Sequence, residues 1–360
     1  MLRRFWFLLT CLALPLSSAA GQDWWSISDQ DFVIRYGNLA TGTQVQQSQF
    51  AWMMFGRVNQ QVTFRQDQQK YSQWELWPSD LDTFNPNVSA FVAANKVRRV
   101  PHLQLPRLSL ATRHTIRASP IPSSPSEEVT RNPLSYDYIM SKGLNTRAGI
   151  GAYLATPSSK IDFPIGAIET KAEWATGPLP GAHDVGGYSL TALSLMVKIA
   201  ASPSNPFTDN TPSWFWTTFE LKSNKGLAAA QKKFDTYHDV LPKERVEALL
   251  AEAGLGQTPF VNYVSNGQQI QFFDAENKMI RLGNTKIEGF LAEPGGDDPA
   301  KWTNWPTSCH SCHGQASGRP INMSVESFSF GSPVGALKGS DLPGRDYRSY
   351  DFVWSLDSAR

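Results

Sequence analysis

Two cysteines and a histidine near the end of the chain have the spacing of a chemical motif. Cys309 and Cys312 are separated by two residues and His313 follows directly, which makes a C-x-x-C-H string. Each thiol can form a thioether with one vinyl group of a haem, and the histidine can coordinate the iron. The string therefore predicts one covalently bound haem c, a redox centre whose chemistry belongs largely to the cofactor.

The chain begins with a segment typical of a signal peptide. Arg3 and Arg4 precede an apolar stretch, which contains the third cysteine, Cys11, and small residues follow at Ser18-Ala19-Ala20. The stretch is too short to span a bilayer, which needs about 20 residues. We expect residues 1–20 to be removed on export, leaving a soluble periplasmic protein with no membrane span. The mature chain then keeps only the two motif cysteines.

Other uses of a C-x-x-C pair stay open. A zinc site needs four ligands as a rule, and the motif offers three. A thioredoxin-like dithiol usually lies early in the chain near a βαβ unit, whereas this pair lies late. A non-haem C-x-x-C redox protein is the alternative that keeps the chemistry of the thiols.

Charge and composition exclude some classes of partner. The chain has 33 Lys and Arg against 32 Asp and Glu. Losing Arg3 and Arg4 with the leader brings the mature net charge near zero, and no block of basic residues is present. This balance argues against nucleic acid and anionic membranes as partners. The chain contains 12 tryptophans, and we expect most of them to pack the core.

Hydrophobic periodicity predicts both strands and helices. The predicted strands are Asp31–Tyr36, Phe163–Trp174, Leu190–Ala200, Trp214–Leu221, Phe260–Val264 and Gln269–Phe273, the last two joined by a turn at 265–267. The predicted helices are Phe50–Asn59, Ala228–Val240 and Lys243–Ala253. The fold class is therefore α+β, with a β-rich, mostly antiparallel core, a helical cover and a C-terminal haem c segment.

Composition also suggests how the chain is divided. We expect a signal peptide over 1–20, a mixed segment over 21–99, a Pro- and Ser-rich excursion over 100–135, a β-rich core over 136–300 and a haem c segment over 301–360. Residues 21–360 can equally form one domain, since about 340 residues suit one large domain or two ordinary ones. His102 and His114 in the excursion, and His238 near the end of a predicted helix, are expected at the surface.

Six short blocks resemble a family of exported bacterial proteins known only as cytochrome c family proteins. In chain order the blocks lie at Phe50–Asn59, Trp74–Trp77, Pro164–Trp174, Trp216–Glu220, Leu282–Glu288 and Ser308–His313. The resemblance spans most of the mature chain and implies a single c-type haem, with little about a reaction. One departure is the stretch 193–198, where relatives often carry histidines and this chain has none.

The motif assigns roles on one side of the iron and leaves the other side open. His313 is the proximal ligand, and its second ring nitrogen should donate to a carbonyl or carboxylate. His310 is expected to be exposed rather than coordinating. Met323, ten residues beyond His313, is the distal candidate nearest in sequence; Met196 and His183 are weaker ones. A packing role for the methionines and an exposed loop position for His183 are the alternatives.

Charged residues alternate along one predicted strand. Glu169, Lys171 and Glu173 share one face of it. If that face meets the haem, they could bind propionates or carry a proton; a solvated face with cross-strand ion pairs is the favoured interpretation. Glu220 is similarly ambiguous.

Two functions fit these features. One is a periplasmic haem c protein that passes single electrons to a redox partner protein or a small-molecule acceptor. The other is a haem enzyme, such as a peroxidase or small-molecule oxidoreductase, with an open distal site. The length of the chain favours the enzyme, because a shuttle needs fewer residues, but no catalytic residue can be named.

Overall fold

A central antiparallel sheet organises the described part of the chain. The structure is a computed structural model, and it describes residues 24–64, 68–84, 126–200, 213–232, 239–272, 280–288, 308–322, 324–327 and 347–359. The fold is α+β, as predicted. The strands of the central sheet are β3 Glu127–Arg131, β4 Ile168–Thr176, β5 Asp184–Val185, β6 Tyr188–Ile199, β7 Ser213–Leu221 and β8 Tyr263–Gln269. Their order is β3-β4-β6-β7-β8, with β5 paired to β6.

Two smaller antiparallel sheets accompany the central one within the described ranges. One pairs β1 Gln61–Thr63 with β2 Lys70–Ser72. The other has the order β10-β9-β11, formed by β9 Ser317–Ile321, β10 Ser324–Ser327 and β11 Arg348–Ser349. This second sheet follows the C-x-x-C-H string directly.

Eight α-helices surround the sheets in the described residues. They are α1 Asp29–Ala40, α2 Gln44–Val58, α3 Asp80–Phe84, α4 Pro133–Ser141, α5 Arg147–Ala155, α6 Leu227–Gln231, α7 Lys243–Glu252 and α8 Cys309–His313. Short 3-10 helices lie at Gln73–Leu76, Pro259–Asn262 and Trp354–Ser358. No helix of the described ranges combines the length and apolar character needed to cross a membrane.

Each face of the central sheet has its own hydrophobic core. On the first face, Leu193, Leu195 and Val197 of β6 belong to one buried cluster with residues of α1, α2 and α7. On the second face, Met196 of β6 belongs to another cluster, which also contains Cys309. Since side chains alternate along a strand, the sequence of β6 determines which core each residue enters. The motif helix thus lies on the second face.

The strand prediction for Asp31–Tyr36 is wrong, because this segment lies in α1. Ser28 caps the helix, its Oγ accepting a hydrogen bond from the backbone N of Asp31 at 3.1 Å. Phe32 and Ala40 are fully buried in the first core. The apolar residues of α1 therefore follow a helical period that extends beyond the predicted strand.

The hairpin predicted around Ser265-Asn266-Gly267 is also wrong, because β8 runs through it without a turn. Gly267 has a φ of 116°, which non-glycine residues rarely adopt, and it lies at a bulge opposite Thr218 and Phe219 of β7. A glycine between two apolar stretches can mark either a turn or a bulge, and here the strand continues.

Other boundaries differ by smaller amounts. The excursion predicted to reach residue 135 ends earlier, since β3 is buried along its whole length. The helix predicted over Ala228–Val240 is described only as α6. In contrast, β6, β7, α2 and α7 lie close to their predicted positions. The signal peptide, Cys11, His102, His114 and His238 lie outside the described residues.

Candidate functional site

The C-x-x-C-H string forms one turn of helix, and β8 positions it. Ser308 precedes α8, and its backbone oxygen accepts a hydrogen bond from the backbone N of Cys312 at 2.9 Å. Gln269, the last residue of β8, donates from Nε2 to Ser308 Oγ at 2.7 Å. The other end of the same amide, Oε1, accepts from the backbone N of His310 at 3.2 Å. One buried glutamine thus fixes the start of the motif helix against the central sheet.

The two thiols occupy different environments. Cys309 is buried, and its Sγ lies 3.6 Å from the carbonyl oxygen of Leu282. Cys312 is partly exposed, and neither cysteine is in a disulfide. Burial raises the pKa of Cys309 well above 9 and that of Cys312 to about 12, although the ammonium of Lys171 acts in the opposite direction. Both sulfurs are therefore thiols rather than thiolates at neutral pH.

His313 is held in the tautomer and charge state of a metal ligand. Its Nδ1 lies 2.8 Å from the carbonyl oxygen of Phe352. Because a carbonyl can only accept, Nδ1 carries the proton and Nε2 keeps its lone pair. Burial lowers the pKa of His313 to about 4, so the ring is neutral at neutral pH. The sequence predicted a carbonyl or carboxylate partner for this nitrogen, and Phe352 supplies a carbonyl.

A buried ion pair positions the carbonyl of Phe352. Asp351 and Phe352 both have positive φ values, 53° and 67°, which are uncommon for residues other than glycine. Both carboxylate oxygens of Asp351 lie 2.7 Å from Nζ of Lys198, and the backbone N of Phe163 donates to the same carboxylate at 2.7 Å. Lys198 on β6 therefore anchors the turn that orients His313.

The prediction that His310 is exposed is wrong. His310 is 2% exposed, and its Nε2 lies 2.8 Å from the carbonyl oxygen of Trp214. The ring also packs against Trp216, with centroids 4.6 Å apart, and against Phe272 and Phe352. The cause is the docking of α8 on β7, which turns the residue after the first cysteine toward the sheet. Because the carbonyl accepts from Nε2, the lone pair of His310 is on Nδ1, which is buried and has no hydrogen-bond partner.

The charged strand is buried, so the favoured interpretation of a solvated face is wrong. Glu169 and Glu173 are 6% and 8% exposed. The Lys171 ammonium pairs with Glu127 of β3 at 2.9 Å and is close enough to Cys312 and His313 to influence the pKa of both. This face of β4 therefore points toward the motif helix.

Glu169 belongs to a second buried charge cluster. It lies 3.6 Å from Nη2 of Arg131, which also pairs with Asp80. The guanidinium is fully buried and stacks on Phe84 at 4.8 Å. One cation between two carboxylates cannot balance both, and burial raises the pKa of Glu169 to about 7. This cluster joins β3, β4 and α3.

Two partly exposed residues lie within interior strands of the central sheet. Apart from the ends of the strands, Lys171 is the one partly exposed residue of β4 and Ser194 the one of β6. These two residues are direct cross-strand partners. Cys312 and His313 are also partly exposed, and both feel the charge of Lys171. Lys171 and Ser194 therefore lie on the face of the sheet that carries the motif.

The distal candidates have different outcomes. Met323 lies outside the described residues. Met196 is 4% exposed and shares the second core with Cys309. His183 does not approach the motif: its Nε2 lies 2.7 Å from Glu75 Oε1, and its ring packs on Phe260 in the first core. The exposed loop position expected for His183 is likewise wrong, since it is 9% exposed.

Glu220 has a structural place beside the site. Its carboxylate accepts hydrogen bonds from the backbone N of Thr285 at 2.6 Å and from the side chains of Asn266 and Asn224 at 2.7 and 3.0 Å. Burial raises its pKa, while these hydrogen bonds act to lower it. Glu220 thus ties the segment 282–288 to the end of β7, and that segment in turn contacts Cys309.

Several residues of the site were missed at the level of sequence. Gln269, Phe352 and the pair of Lys198 and Asp351 belong to no motif. The one available signal was Lys198, a lysine at an inward position of an apolar strand, which indicates a buried partner. Nothing in the sequence identifies that partner as a residue 153 positions away.

No further ligand cluster accompanies the motif: among the described residues, no group of three or more His, Cys, Asp and Glu could hold a metal ion. Comparisons with protein-family models, curated proteins and solved structures find no match to this chain.

Proposed function

We propose that this chain is an exported c-type haem protein that transfers single electrons in the periplasm. Cys309 and Cys312 would hold one haem through thioethers, and His313 would be an axial ligand of its iron. The observation that carries the proposal is the hydrogen bond from His313 Nδ1 to the Phe352 carbonyl. That bond leaves Nε2 unprotonated, which is the state that binds iron.

The surroundings of the motif also fit a haem. The two sulfurs lie on one helical turn and are not joined to each other. Aromatic rings surround the turn, with Trp216 5.3 Å from the His313 ring. Cys312 and His313 are partly exposed. A bound haem would supply a one-electron couple at its iron.

The chain's own residues hold this site in place from three directions. Gln269 fixes the first residues of α8, Leu282 contacts Cys309, and the Phe352 carbonyl orients His313. Three of the blocks that resemble exported cytochrome c proteins meet here. The block 282–288 contacts the motif through Leu282 and Cys309. It contacts the block 216–220 through Asn284, which donates from Nδ2 to Thr218 Oγ1 at 2.8 Å. Separate blocks of the sequence thus meet at one motif.

A dithiol redox function fits less well. A reactive C-x-x-C pair needs a thiolate, which requires a lowered pKa at the exposed cysteine. Here burial raises the pKa of Cys312 to about 12, and Cys309 is buried. Both thiols are therefore poor nucleophiles at neutral pH.

One observation favours a second candidate, a haem enzyme with an open distal site. Lys171 and Ser194 are partly exposed polar residues on the face of the sheet that carries the motif, which a simple electron carrier does not require.

A pyridine haemochrome assay tests the main proposal. The full chain is expressed with its leader in a host that contains the cytochrome c maturation machinery, and covalent haem is measured after denaturing electrophoresis. We expect one haem per chain, and none in a Cys309→Ala, Cys312→Ala double variant. Cys11→Ala, which changes the one other cysteine, is the matched control and should keep the haem. Wild-type protein without covalent haem would overturn the proposal.

The ferric absorption spectrum separates the two candidate functions. A low-spin spectrum that cyanide does not change supports the electron carrier, because both axial positions are then filled. A high-spin spectrum that cyanide converts to low-spin supports the enzyme.

A further inference from the structure

A row of aromatic rings runs from the motif through the second core to the surface. The ring centre of Trp216 lies 5.3 Å from that of His313, and the ring centre of Trp214 lies 6.3 Å from that of Trp216. Phe163 then lies 5.8 Å from Trp214, and Tyr138 lies 4.6 Å from Phe163. Tyr138 is partly exposed, whereas the three rings between it and His313 are buried. This aromatic row therefore connects the motif with solvent at α4.

The rings of the aromatic row differ in how easily they lose an electron. Tryptophan and tyrosine side chains can be oxidised by one electron, whereas phenylalanine is not oxidised at biological potentials. Electron transfer slows exponentially with distance, so the two tryptophans divide one long transfer between His313 and Tyr138 into shorter ones. Phe163 fills the gap between Trp214 and Tyr138 as packed medium without being oxidised itself.

The environment of Trp214 suits a carrier that does not keep the charge. Its Nε1 is buried and has no hydrogen-bond partner in the described part of the chain. An oxidised indole that cannot release this proton remains a strong oxidant and takes an electron from the next ring. The ammonium of Lys198 lies 5.6 Å from the ring centre and disfavours a positive ring, but the carboxylates of Asp351 and Asp162 pair with that ammonium at 2.7 and 3.1 Å.

The environment of Tyr138 suits the end of the transfer. A tyrosine releases its phenol proton when it is oxidised, so it needs an acceptor for that proton. Tyr138 Oη accepts a hydrogen bond from the backbone N of Asp162 at 2.8 Å, and its phenol is hydrogen-bonded to that of Tyr153. Because Tyr153 donates its own proton to the carbonyl oxygen of Lys160 at 3.0 Å, it accepts from Tyr138. Tyr153 is partly exposed, which gives the proton a path to solvent.

We propose that the aromatic row conducts electrons from Tyr138 to an oxidant at the haem, and that the phenols of Tyr138 and Tyr153 form a surface site for the oxidation of small phenols. The proposal rests on the second candidate function, the haem enzyme with an open distal site, and names its substrate class. It places the substrate at the surface, so a phenol does not have to enter the closely packed second core. Small phenols fit this site because they give up one electron and one proton, as Tyr138 does.

Electrons and protons balance with hydrogen peroxide as the oxidant. The peroxide takes up two electrons and two protons, its O–O bond breaks, and two waters form. Each electron comes from Tyr138, which releases its phenol proton through Tyr153 and is left as a neutral radical. A phenol at the surface then returns one electron and one proton to Tyr138 and leaves as a phenoxyl radical. Two such cycles consume one peroxide and two phenols, and the haem ends in the oxidation state in which it began.

Electron paramagnetic resonance of the haem-loaded full chain tests the proposal. The protein is mixed with an equimolar amount of hydrogen peroxide, frozen rapidly and examined for a tyrosyl radical, and the peroxide-dependent oxidation of guaiacol is measured in parallel. Wild type is compared with Tyr138→Phe, Trp214→Phe and Tyr136→Phe. Tyr136 lies on the same helix as Tyr138 but outside the aromatic row, so its variant is the matched control.

Wild type and Tyr136→Phe should give the tyrosyl radical and oxidise guaiacol. Tyr138→Phe should lose the radical and the guaiacol activity, and Trp214→Phe should lose most of both, because phenylalanine keeps the packing but cannot carry the charge. The rate at which peroxide changes the haem absorption, followed by stopped flow, should be the same in all four proteins. A merely structural role of either residue would change that rate as well.

The proposal is overturned if Tyr138→Phe matches wild type in both the radical and the oxidation of guaiacol. If wild type carries haem but forms no radical with peroxide, the proposal fails and the electron carrier stands. If wild type carries no covalent haem, the proposed function and this proposal fail together. Should Trp214→Phe not fold, as judged by near-ultraviolet circular dichroism, Tyr138→Phe decides, because it removes one hydroxyl of a partly exposed side chain.

Discussion

Replacing Lys198 by methionine tests how the site is supported. The ammonium of Lys198 contacts both carboxylate oxygens of Asp351 at 2.7 Å. Their side chains are 1% and 11% exposed. Methionine keeps an unbranched apolar side chain of similar length but removes the charge. The Asp351 carboxylate then loses its main partner, and the turn that presents the Phe352 carbonyl to His313 loses its anchor.

The size of the loss follows from the burial of the pair. Removing one partner of a buried ion pair costs about 3–5 kcal/mol, because the other charge stays buried without compensation. Asp351 keeps its hydrogen bond from the backbone N of Phe163 and a little contact with solvent. We therefore expect the lower value, a decrease of about 3 kcal/mol in the free energy of unfolding at pH 8.

The loss should depend on pH in a known direction. Burial raises the pKa of Asp351, and Lys198 acts to lower it, so Lys198→Met raises it further. An acid whose pKa is higher in the folded state stabilises that state at low pH, and this contribution disappears as the pH rises through the folded pKa. Lys198→Met should therefore lose less stability at pH 4.5 than at pH 8.

Urea unfolding at the two pH values, followed by tryptophan fluorescence, measures both effects. Adding Asp351→Asn to Lys198→Met should restore part of the stability at pH 8 and remove the pH dependence, because the buried carboxylate is gone. If Lys198→Met lowers the free energy of unfolding by less than about 1 kcal/mol at pH 8, the pair contributes no more than an exposed ion pair does, and the expected cost of burial is refuted. An equal decrease at both pH values would refute the role of the uncompensated carboxylate.

Three further changes probe other parts of the fold. Glu169→Gln should have the same free energy of unfolding as wild type at pH 4.5 and a higher one, by on the order of 3 kcal/mol, above pH 7. The reason is that burial raises the pKa of the wild-type carboxyl from 4.5 to about 7, so its stabilising contribution is lost as the pH rises over that interval. Equal stability of the two proteins in urea at pH 8 would contradict this. Gln269→Leu should lower the free energy of unfolding by about 2 kcal/mol, since two hydrogen bonds to the start of α8 are lost. Urea unfolding measures this loss, with Gln271→Leu as the comparison variant. Gly267→Ala should cost about 1–3 kcal/mol because of the φ of 116°, and a neutral result in thermal unfolding would mean that the bulge relaxes.

Sequence reasoning succeeded where a local pattern decides the structure. The β-branched and aromatic residues of β6 and β7, and the Pro242 and Gly254 that flank α7, needed no knowledge of distant residues. It failed for α1, where the apolar residues of a helix include a short run that also suits a strand, and at Gly267, where turn and bulge share one residue type. Both mispredicted segments are short, and whether each forms a helix, a strand or a turn depends on the surfaces against which it packs.

The predictions about the chemistry of the site divide in the same way, into those that a local pattern decides and those that depend on distant residues. The roles predicted for Cys309, Cys312 and His313 follow from their spacing, and they stay predictions that the haemochrome assay decides. The burial of His310 and the partner of His313 depend on β7 and on a turn 39 residues later in the chain. No pattern around the motif carries that information, because these contacts form only when the last segment folds onto the sheet.

The burial of Cys309 has a consequence for the order of events during biogenesis. In the folded chain this thiol is 8% exposed and directed at the carbonyl of Leu282. A maturation enzyme that joins a vinyl group to this sulfur could not reach it there. Under the proposed function, attachment would have to precede the docking of the motif helix, and folding would then close over the thioether. The proposed function therefore predicts that protein folded before attachment would not accept a haem at Cys309.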